Sequence, residues 1–405
     1  MNIAILGLGT VGTGVVELLQ TNREKISGTL GETLTISHVY VNNLTKQRTV
    51  NLTGMTITDD INTIYNSDID LVIEVMGGID GTYQILQKFL KKGVHVVTAN
   101  KDLLALHIDD LSQLANQQQV TLAYEASVAG GIPVIRGIQT GLNSNQLTQV
   151  LGILNGTSNY ILTRMTQDGW DYQTALTKAQ ELGYAEADPT NDVEGFDAQR
   201  KIALLSRLAY EKVIKLDEVK QKGISSLELV DLDYARQAGL VMKLLGKSRY
   251  DVANQTVSVN VEPVLLPMTH QLAHVNDAMN SVFVKGNGVG EMMFYGPGAG
   301  GLATASAVVS DVMNIVTAKA QGDNFVPTEL AQIVEDQTAR SYYVRLAEKP
   351  SGLAWLGEIL SQPEAEQFVA TTVVMTPAEL SVLEKEATVL AAYPIEGKEW
   401  VSEHE

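Results

Sequence analysis

The sequence predicts an α/β fold: a doubly wound nucleotide-binding unit followed by a mixed α+β unit. Three observations point to it. Residues 2–6, NIAIL, are an apolar run leading directly into Gly7-Leu8-Gly9-Thr10-Val11-Gly12 and then the helical pattern VVELLQ. Apolar runs of strand length alternate with helical patterns as far as VTLAY, residues 120–124, which favours a parallel sheet. Beyond Pro133 the alternation gives way to helices, sheet segments and a glycine-dense stretch, 285–301. The chain has 405 residues, 45% of them apolar, enough for large cores in two or three domains.

The first strand, NIAIL, has no basic segment before it and no small-residue cleavage site after it, so it reads as a strand rather than a signal peptide. The glycines follow in the order that a dinucleotide turn needs. Gly7 permits the tight turn, Gly9 lets backbone approach a pyrophosphate, and Gly12 permits close packing of helix on strand. Thr10 and Val11 open the helix, whose free N–H groups point at the phosphates. This context predicts a Rossmann-type NAD(P) site, with a purely structural turn as the alternative. The second strand is expected over 34–41. Asn42 and Asn43 stand where NAD sites often carry an acid for the ribose. Lys46 and Arg48 lie just beyond, either as surface charges or for a 2'-phosphate, so NADP is slightly favoured over NAD.

A strand over 70–75, DLVIEV, ends at the glycine turn MGGID, and a helix follows near 82–92. Then VHVVTANKDLL runs strand, loop, helix. It leaves Thr98, Asn100 and Lys101 at the carboxyl end of a strand, where such sheets bind ligands. A lysine in the first turn of a helix opposes the helix dipole, which favours a functional role for Lys101. Next, YEASVAGGIP is built of small residues that leave backbone groups open. It is suited to line the cofactor or to hold a hard monovalent cation; Glu125 alternatively caps a local turn.

In the second unit, VIRGIQTGL reads as a helix and LTQVLGIL as a strand. Asn155-Gly156-Thr157 opens the helix YILTRMTQ, with Asn155 and Thr157 as caps or as donors to a ligand. A further helix, TALTKAQELGYA, stops at Gly183, and SVNVEPVLL reads as sheet. The stretch 285–301, KGNGVGEMMFYGPGAGG, is expected as a loop approaching a ligand or another backbone. The small-residue helix LATASAVVSDVMNIV after it suits packing back onto the nucleotide unit.

Residues 182–201, LGYAEADPTNDVEGFDAQRK, concentrate the chemistry. Glu186, Asp188, Asp192, Glu194 and Asp197 precede Lys201. On a helix Asp197 and Lys201, four apart, share one face. The acids form either a solvated loop or a receptor for the ammonium of a small zwitterion, beside a lysine that handles a proton.

Composition narrows the field. A net charge of −18 argues against nucleic-acid partners. No apolar run reaches membrane-spanning length, and a cytoplasmic protein is the default expectation. Cysteine is absent, which removes disulfides, thiolate metal sites and thiol nucleophiles together. Six scattered histidines give no zinc motif.

At this point the chain resembles homoserine dehydrogenases over nearly its whole length. The resemblance rests on AQELGYAEADPTNDVEGFDAQRK, with GLGTVG, TANK, EASVAGG, NGTSNY and GPGAG in the family's order. It implies NAD(P)-dependent interconversion of L-homoserine and L-aspartate 4-semialdehyde, in threonine and methionine biosynthesis. It implies Lys201 as acid/base group with Asp197 as its partner, Glu186 and Asp192 as substrate-binding acids, and Lys101 near cofactor and substrate. For the cofactor it implies Gly7, Gly9, Thr10, Val11, Gly12, Thr98, Lys101 and Gly300. A sodium-like ion would sit at Glu125, Val128, Gly130 and Ile132, held chiefly by main chain, and the protein would form a dimer or higher homo-oligomer through the substrate domain. The domains expected are 1–132 for the cofactor, with 302–320 packing back on it, and 133–301 for substrate and dimerisation.

The sequence departs from the family in two places. Asn42-Asn43 stand where many members carry Arg-Asp. The segment 341–405 resembles an ACT module, the small ligand-binding unit that often gives threonine feedback, but is too short for the full βαββαβ. SYYVRLAEKPSGLAWLGEILSQ reads as its first strand and helix, and FVATTVVM, PAELSVLEKEA and TVLAAY as strand, helix and last strand. The middle hairpin is expected to be missing, and with it most of the threonine response. Two rivals remain: a nucleotide-binding regulatory protein on an enzyme scaffold, and another amino-acid or aldehyde dehydrogenase. Capture of the aldehyde by a thiol, as in aspartate-semialdehyde dehydrogenase, needs the cysteine this chain lacks.

Overall fold

The computed structural model describes residues 1–317, 324–350, 354–361 and 367–397. The first unit is a parallel sheet of six strands: β1 (Asn2–Leu6), β2 (Thr35–Tyr40), β3 (Thr56–Thr58), β4 (Leu71–Glu74), β5 (His95–Thr98) and β6 (Leu122–Ala123). Their spatial order is β3-β2-β1-β4-β5-β6. The order reverses direction between β1 and β4, and the crevice at that switch point is where such sheets take a dinucleotide. Buried on both faces, the central strands run Ile3-Ala4-Ile5-Leu6 and Leu71-Val72-Ile73 without a break. Helices α1 (Thr10–Thr21), α2 (Asp80–Lys91) and α3 (Lys101–Gln117) supply crossovers.

The second unit is a largely antiparallel sheet. Its main strands are β7 (Leu147–Ile153), β8 (Leu240–Asp251), β9 (Thr256–Pro267), β10 (Met279–Gly286) and β11 (Gly290–Pro297), in the order β11-β10-β7-β8-β9. Helices α4 (Gly156–Asp168) and α5 (Phe196–Tyr210) lie on one face. Helix α5 crosses β8 at Gly246, where a Cβ would stand 2.9 Å from Leu154 and 3.0 Å from Ile202. Glycine there lets α5 settle against the strand ends, which places Lys201, next to Ile202, over the end of β7.

Helix α6 (Gly301–Thr317) packs against α1 of the first unit. Gly14 makes the contact close: a Cβ there would stand 2.6 Å from the Gly301 carbonyl oxygen. Residues 318–320 of the expected return segment lie outside the described residues.

Three local expectations change. The helix over 134–142 is one α turn, Val134–Arg136, continued by a π turn over Gly137–Gly141. Gly137 lies 2.7 Å, at its would-be Cβ, from the Phe294 ring, so packing sets this backbone rather than helix propensity. The stretch 285–301 is no simple loop, because β11 pairs with β10 as a hairpin and only its end approaches the first unit.

The third change concerns the C-terminal segment, of which 351–353, 362–366 and 398–405 lie outside the described residues. Strands β12 (Tyr342–Leu346), β13 (Leu356–Ile359), β14 (Phe368–Thr372) and β15 (Val389–Pro394) form an antiparallel sheet in the order β13-β14-β12-β15, with α7 (Pro377–Glu386) before the last strand. The hairpin expected to be missing is present as β13–β14, and residues 356–359 of the expected first helix are strand. The reason is local. Gly357 weakens a helix by about 1 kcal/mol, and in the hairpin it passes so close to β14 that a Cβ would meet the Thr371 hydroxyl at 2.8 Å. Strand β12 alternates between two contacts. Tyr342, Val344 and Leu346 enter the module's own core. Tyr343 and Arg345 turn to the second unit, where Arg345 Nε meets the buried Asp231 at 2.7 Å and the Tyr343 hydroxyl donates to it at 2.9 Å.

Candidate active site

Helix α5 opens at Gly195, whose φ of +84° lies in the left-handed region that glycine adopts without strain. Asp197 falls in the first turn, where the helix dipole favours an anion. Lys201 follows one turn later, and its Nζ lies 2.7 Å from Asp197 Oδ2. The same ammonium donates to the Leu154 carbonyl at 2.8 Å. Lys101, at the start of α3, approaches from the first unit to 3.3 Å from Asp197 Oδ1. One buried carboxylate therefore meets a lysine from each unit. The seam continues along the two helices: Asp102 pairs with Arg200 at 3.3 Å, and Asp109 meets the buried Arg207, with Nε at 3.0 Å.

Asn155, the N-cap of α4, joins this carboxylate to the next one. Its Nδ2 donates to Asp192 Oδ1 at 2.7 Å and to Asp197 Oδ2 at 2.9 Å, while its Oδ1 accepts from Ser158 N–H at 2.8 Å. The other acids divide. Glu186 is exposed; its carboxylate engages no described side chain, and only its carbonyl is held, by Gln180. Asp188 closes a turn by accepting from Thr190 N–H and hydroxyl at 3.1 and 2.6 Å. Glu194 packs over Gly223, where a Cβ would meet its carboxylate at 2.6 Å. Both have local structural work, which separates them from the cluster.

Electrostatics distinguish the two central acids. Burial works to raise the Asp197 carboxyl, but the ammoniums of Lys201 and Lys101 outweigh it and hold it below its usual value. Asp192 is raised, first by burial and then by the charge of Asp197, against the lowering hydrogen bond from Asn155. Burial alone would lower Lys101, but Asp197 and Asp102 raise it overall.

Family models match most of the chain: one described as homoserine dehydrogenase, NAD binding domain, over residues 7–125, and one described as homoserine dehydrogenase over 133–313. The homoserine dehydrogenase of Bacillus subtilis (strain 168) is 44% identical over 317 residues, 78% of this chain and 73% of its own. That of Neisseria gonorrhoeae (strain ATCC 700825 / FA 1090) is 37% identical over 398 residues, 95% of this chain and 91% of its own. The crystal structure of a homoserine dehydrogenase from Thiobacillus denitrificans superposes with a TM-score of 0.89 at 34% identity, covering 98% of each chain. The chain belongs to the homoserine dehydrogenase family.

In this homoserine dehydrogenase fold the glycine turn is ready for a dinucleotide. A Cβ at Gly7, φ +101°, would strike the Val75 carbonyl at 2.8 Å, and one at Gly12 would strike the Gly7 carbonyl at 2.2 Å. At Gly9 nothing lies within 4 Å, so the backbone is open to a ligand. Thr10 is exposed and Val11 half-buried at the start of α1. The start of α6 arrives at the same place: Gly300 is exposed, and a Cβ on Gly301 would stand 3.2 Å from Thr10. Two helix N-termini thus converge on the turn, a favourable setting for phosphate.

Thr98 plays a different part from the one its position suggests. Its hydroxyl donates to Glu74 Oε2 at 2.5 Å and accepts from Asn100 N–H at 3.0 Å, so the side chain is committed within the protein. Glu74, fully buried, also accepts from Met76 and Gly77 N–H at 2.8 and 3.0 Å. It knits the glycine turn after β4 to the loop that carries Lys101. Sequence reading passed over Glu74, although an acid inside an apolar central strand must find donors, and that was a usable signal.

The Glu125 carboxylate accepts from Ile135 and Arg136 N–H, both at 2.8 Å, and so caps the short helix there. Its own N–H donates to Asp311 of α6, which pairs with Arg136 at 2.9 Å. Among the described residues no three His, Cys, Asp or Glu side chains group as metal ligands. The Ile132 carbonyl already accepts from Val134 N–H at 2.8 Å, whereas those of Val128 and Gly130 accept no described hydrogen bond. Two free carbonyls beside a committed carboxylate fit a weakly held monovalent ion better than a divalent one.

Proposed function

We propose that the cleft between the two units interconverts L-homoserine and L-aspartate 4-semialdehyde, and that Lys201 with Asp197 handles the proton. The observation that carries this is the Asp197 carboxylate held between Lys201 of the second unit and Lys101 of the first, the unit that carries the open glycine turn. Bound NAD(P) supplies the hydride chemistry. In the reductive direction the Lys201 ammonium donates a proton to the developing alkoxide; in the oxidative direction its amine withdraws that proton from the hydroxyl. Asp197 fixes the lysine through a charge-assisted hydrogen bond. Asp192 and Glu186 take the substrate ammonium, Glu186 from the exposed side, and Lys101 orients the reacting end. Gly7, Gly9, Thr10, Val11, Gly12 and Gly300 hold the phosphates through backbone groups, with Thr98 acting only as a brace. A monovalent ion is assigned to the carbonyls around Val128 and Gly130, beside Glu125 and Ile132. Association runs through the second unit, whose edge strand β11 leaves Met293 and Tyr295 exposed.

NADP is favoured over NAD. The support is Lys46 and Arg48 beyond β2: Arg48 braces that loop through the carbonyls of Lys46 and Asn43, both at 2.6 Å, and Lys46 stands exposed for a phosphate. Initial rates of NADPH or NADH formation on L-homoserine test the reading. Turnover with both and a higher kcat/KM with NADP is expected; no homoserine-dependent reduction of either refutes it.

We assign the C-terminal segment to a reduced ACT-like module: its sheet has the strand order of the βαββαβ arrangement, with strand at 356–359 within the stretch expected as the first helix. Ion pairs to the second unit clamp it, so it serves packing and gives little or no threonine response. Calorimetric titration with L-threonine is expected to show no binding in the micromolar range; micromolar affinity contradicts the assignment.

A further inference from the structure

We propose that Asn155 is a positioning residue that keeps the two acids of the site in separate roles, Asp192 for the substrate ammonium and Asp197 for the lysines. This rests on the proposed function. The amide is 6% exposed, and each of its two hydrogens goes to a different carboxylate, Asp192 at 2.7 Å and Asp197 at 2.9 Å. Its orientation is fixed, because the oxygen accepts from Ser158 N–H at 2.8 Å; turned over, it would set an oxygen against two carboxylates and an NH2 group against an N–H.

Capping does not explain the choice of residue. Aspartate and serine cap helices as well as asparagine does. Among these three, only asparagine caps through its oxygen and still offers two N–H donors. An ionised aspartate offers none, and serine offers one. The surroundings show why the donors matter. Asp192 faces Asn155, Thr157, Asp197 and Lys201. Asp197 faces Lys201 on its own helix and Lys101 from α3, behind which Asp102 and Arg200 pair. Two like charges converge on one amide, and Lys201 and Lys101 both stand at Asp197. Without the amide, Asp192 is the acid left with burial and a neighbouring anion, and it takes up a proton more readily. A protonated Asp192 no longer attracts the substrate ammonium.

The test uses Asn155→Asp and Asn155→Ser, which both retain the cap. In Asn155→Asp the KM for L-homoserine is expected to rise at least tenfold at neutral pH, with the acid limb of kcat/KM moving up by about one pH unit. Cofactor affinity stays near wild type; the thermal midpoint falls in Asn155→Asp, which sets a third carboxylate against those of Asp192 and Asp197, and stays closer to wild type in Asn155→Ser. Asn155→Ser shifts the same way by less, and it decides the matter if the aspartate variant does not fold. The 13C-carboxyl titration of Asp192 in substrate-free protein, assigned with Asp192→Asn, is expected to move upward in the variants. An unmoved titration with wild-type KM overturns the proposal, and so does a lowered thermal midpoint with KM unchanged. If the titration moves but the wild type does not oxidise homoserine, the proposed function fails and the positioning role stands.

Discussion

Lys201→Ala lowers turnover of L-homoserine by roughly 10² to 10⁴-fold, the range that a positioned acid/base group contributes. The loss falls on kcat, because the ammonium does its work as the alkoxide forms or disappears. Affinity for NAD(P) stays near wild type, since this lysine's hydrogen bonds go to Asp197 and the Leu154 carbonyl and none goes to the glycine turn or to the starts of α1 and α6. The fold survives because Asp197 keeps Lys101 at 3.3 Å and the amide of Asn155 at 2.9 Å. Steady-state kinetics with both cofactors, beside cofactor binding by fluorescence, check this. Wild-type turnover would remove Lys201 from the mechanism.

Glu396→Gln destabilises the protein by about 3–5 kcal/mol, the cost of breaking a buried ion pair by removing one partner. Glu396 follows β15 and is 2% exposed. Lys247 and Arg249 of β8 reach it at 2.7 and 3.0 Å, and Arg340 ion-pairs with it as well. Glutamine keeps the shape but leaves the three cations without the anion they share. The sign with pH follows from the same geometry. Burial works to raise this carboxyl, but Lys247, Arg340 and Arg249 hold it well below the usual carboxylate range. A depressed folded-state value gives stability that is present above the unfolded value, about 4.3, and is lost as pH falls through the folded one. Urea unfolding at neutral pH is expected to show the full deficit in Glu396→Gln, and the gap to wild type to close as the pH drops below 4. An equal stability at pH 7 would show that the module is not clamped through this residue.

The first unit was legible because each of its signals is local. The Gly7–Gly12 spacing, the apolar strands and the lysine after Asn100 each carry their reason within a few residues. The pairing of Asp197 with Lys201 was legible for the same reason, being one helical turn. What the sequence could not display was convergence. Lys101 reaches Asp197 across the two units, and Asn155 joins acids 37 and 42 positions further on. The acids of 186–197 looked alike, yet their partners separate them: Asn155 joins Asp192 and Asp197, Asp188 closes a turn with Thr190, Glu194 lies over Gly223, and Glu186 stays in solvent. The C-terminal segment was misread because its apolar residues suit a short helix as well as an edge strand. The tertiary approach of Gly357 to β14, invisible in the pattern, decides between them.

A double-mutant cycle of Lys201→Ala and Asp197→Asn, read in kcat for homoserine oxidation at saturating cofactor, tests the central claim most directly. If Asp197 acts by holding Lys201, the double variant should be scarcely slower than Lys201→Ala alone. Losses that multiply, with each substitution exacting its full cost in the presence of the other, would mean that the two residues act independently and that the pair is not the proton-handling unit.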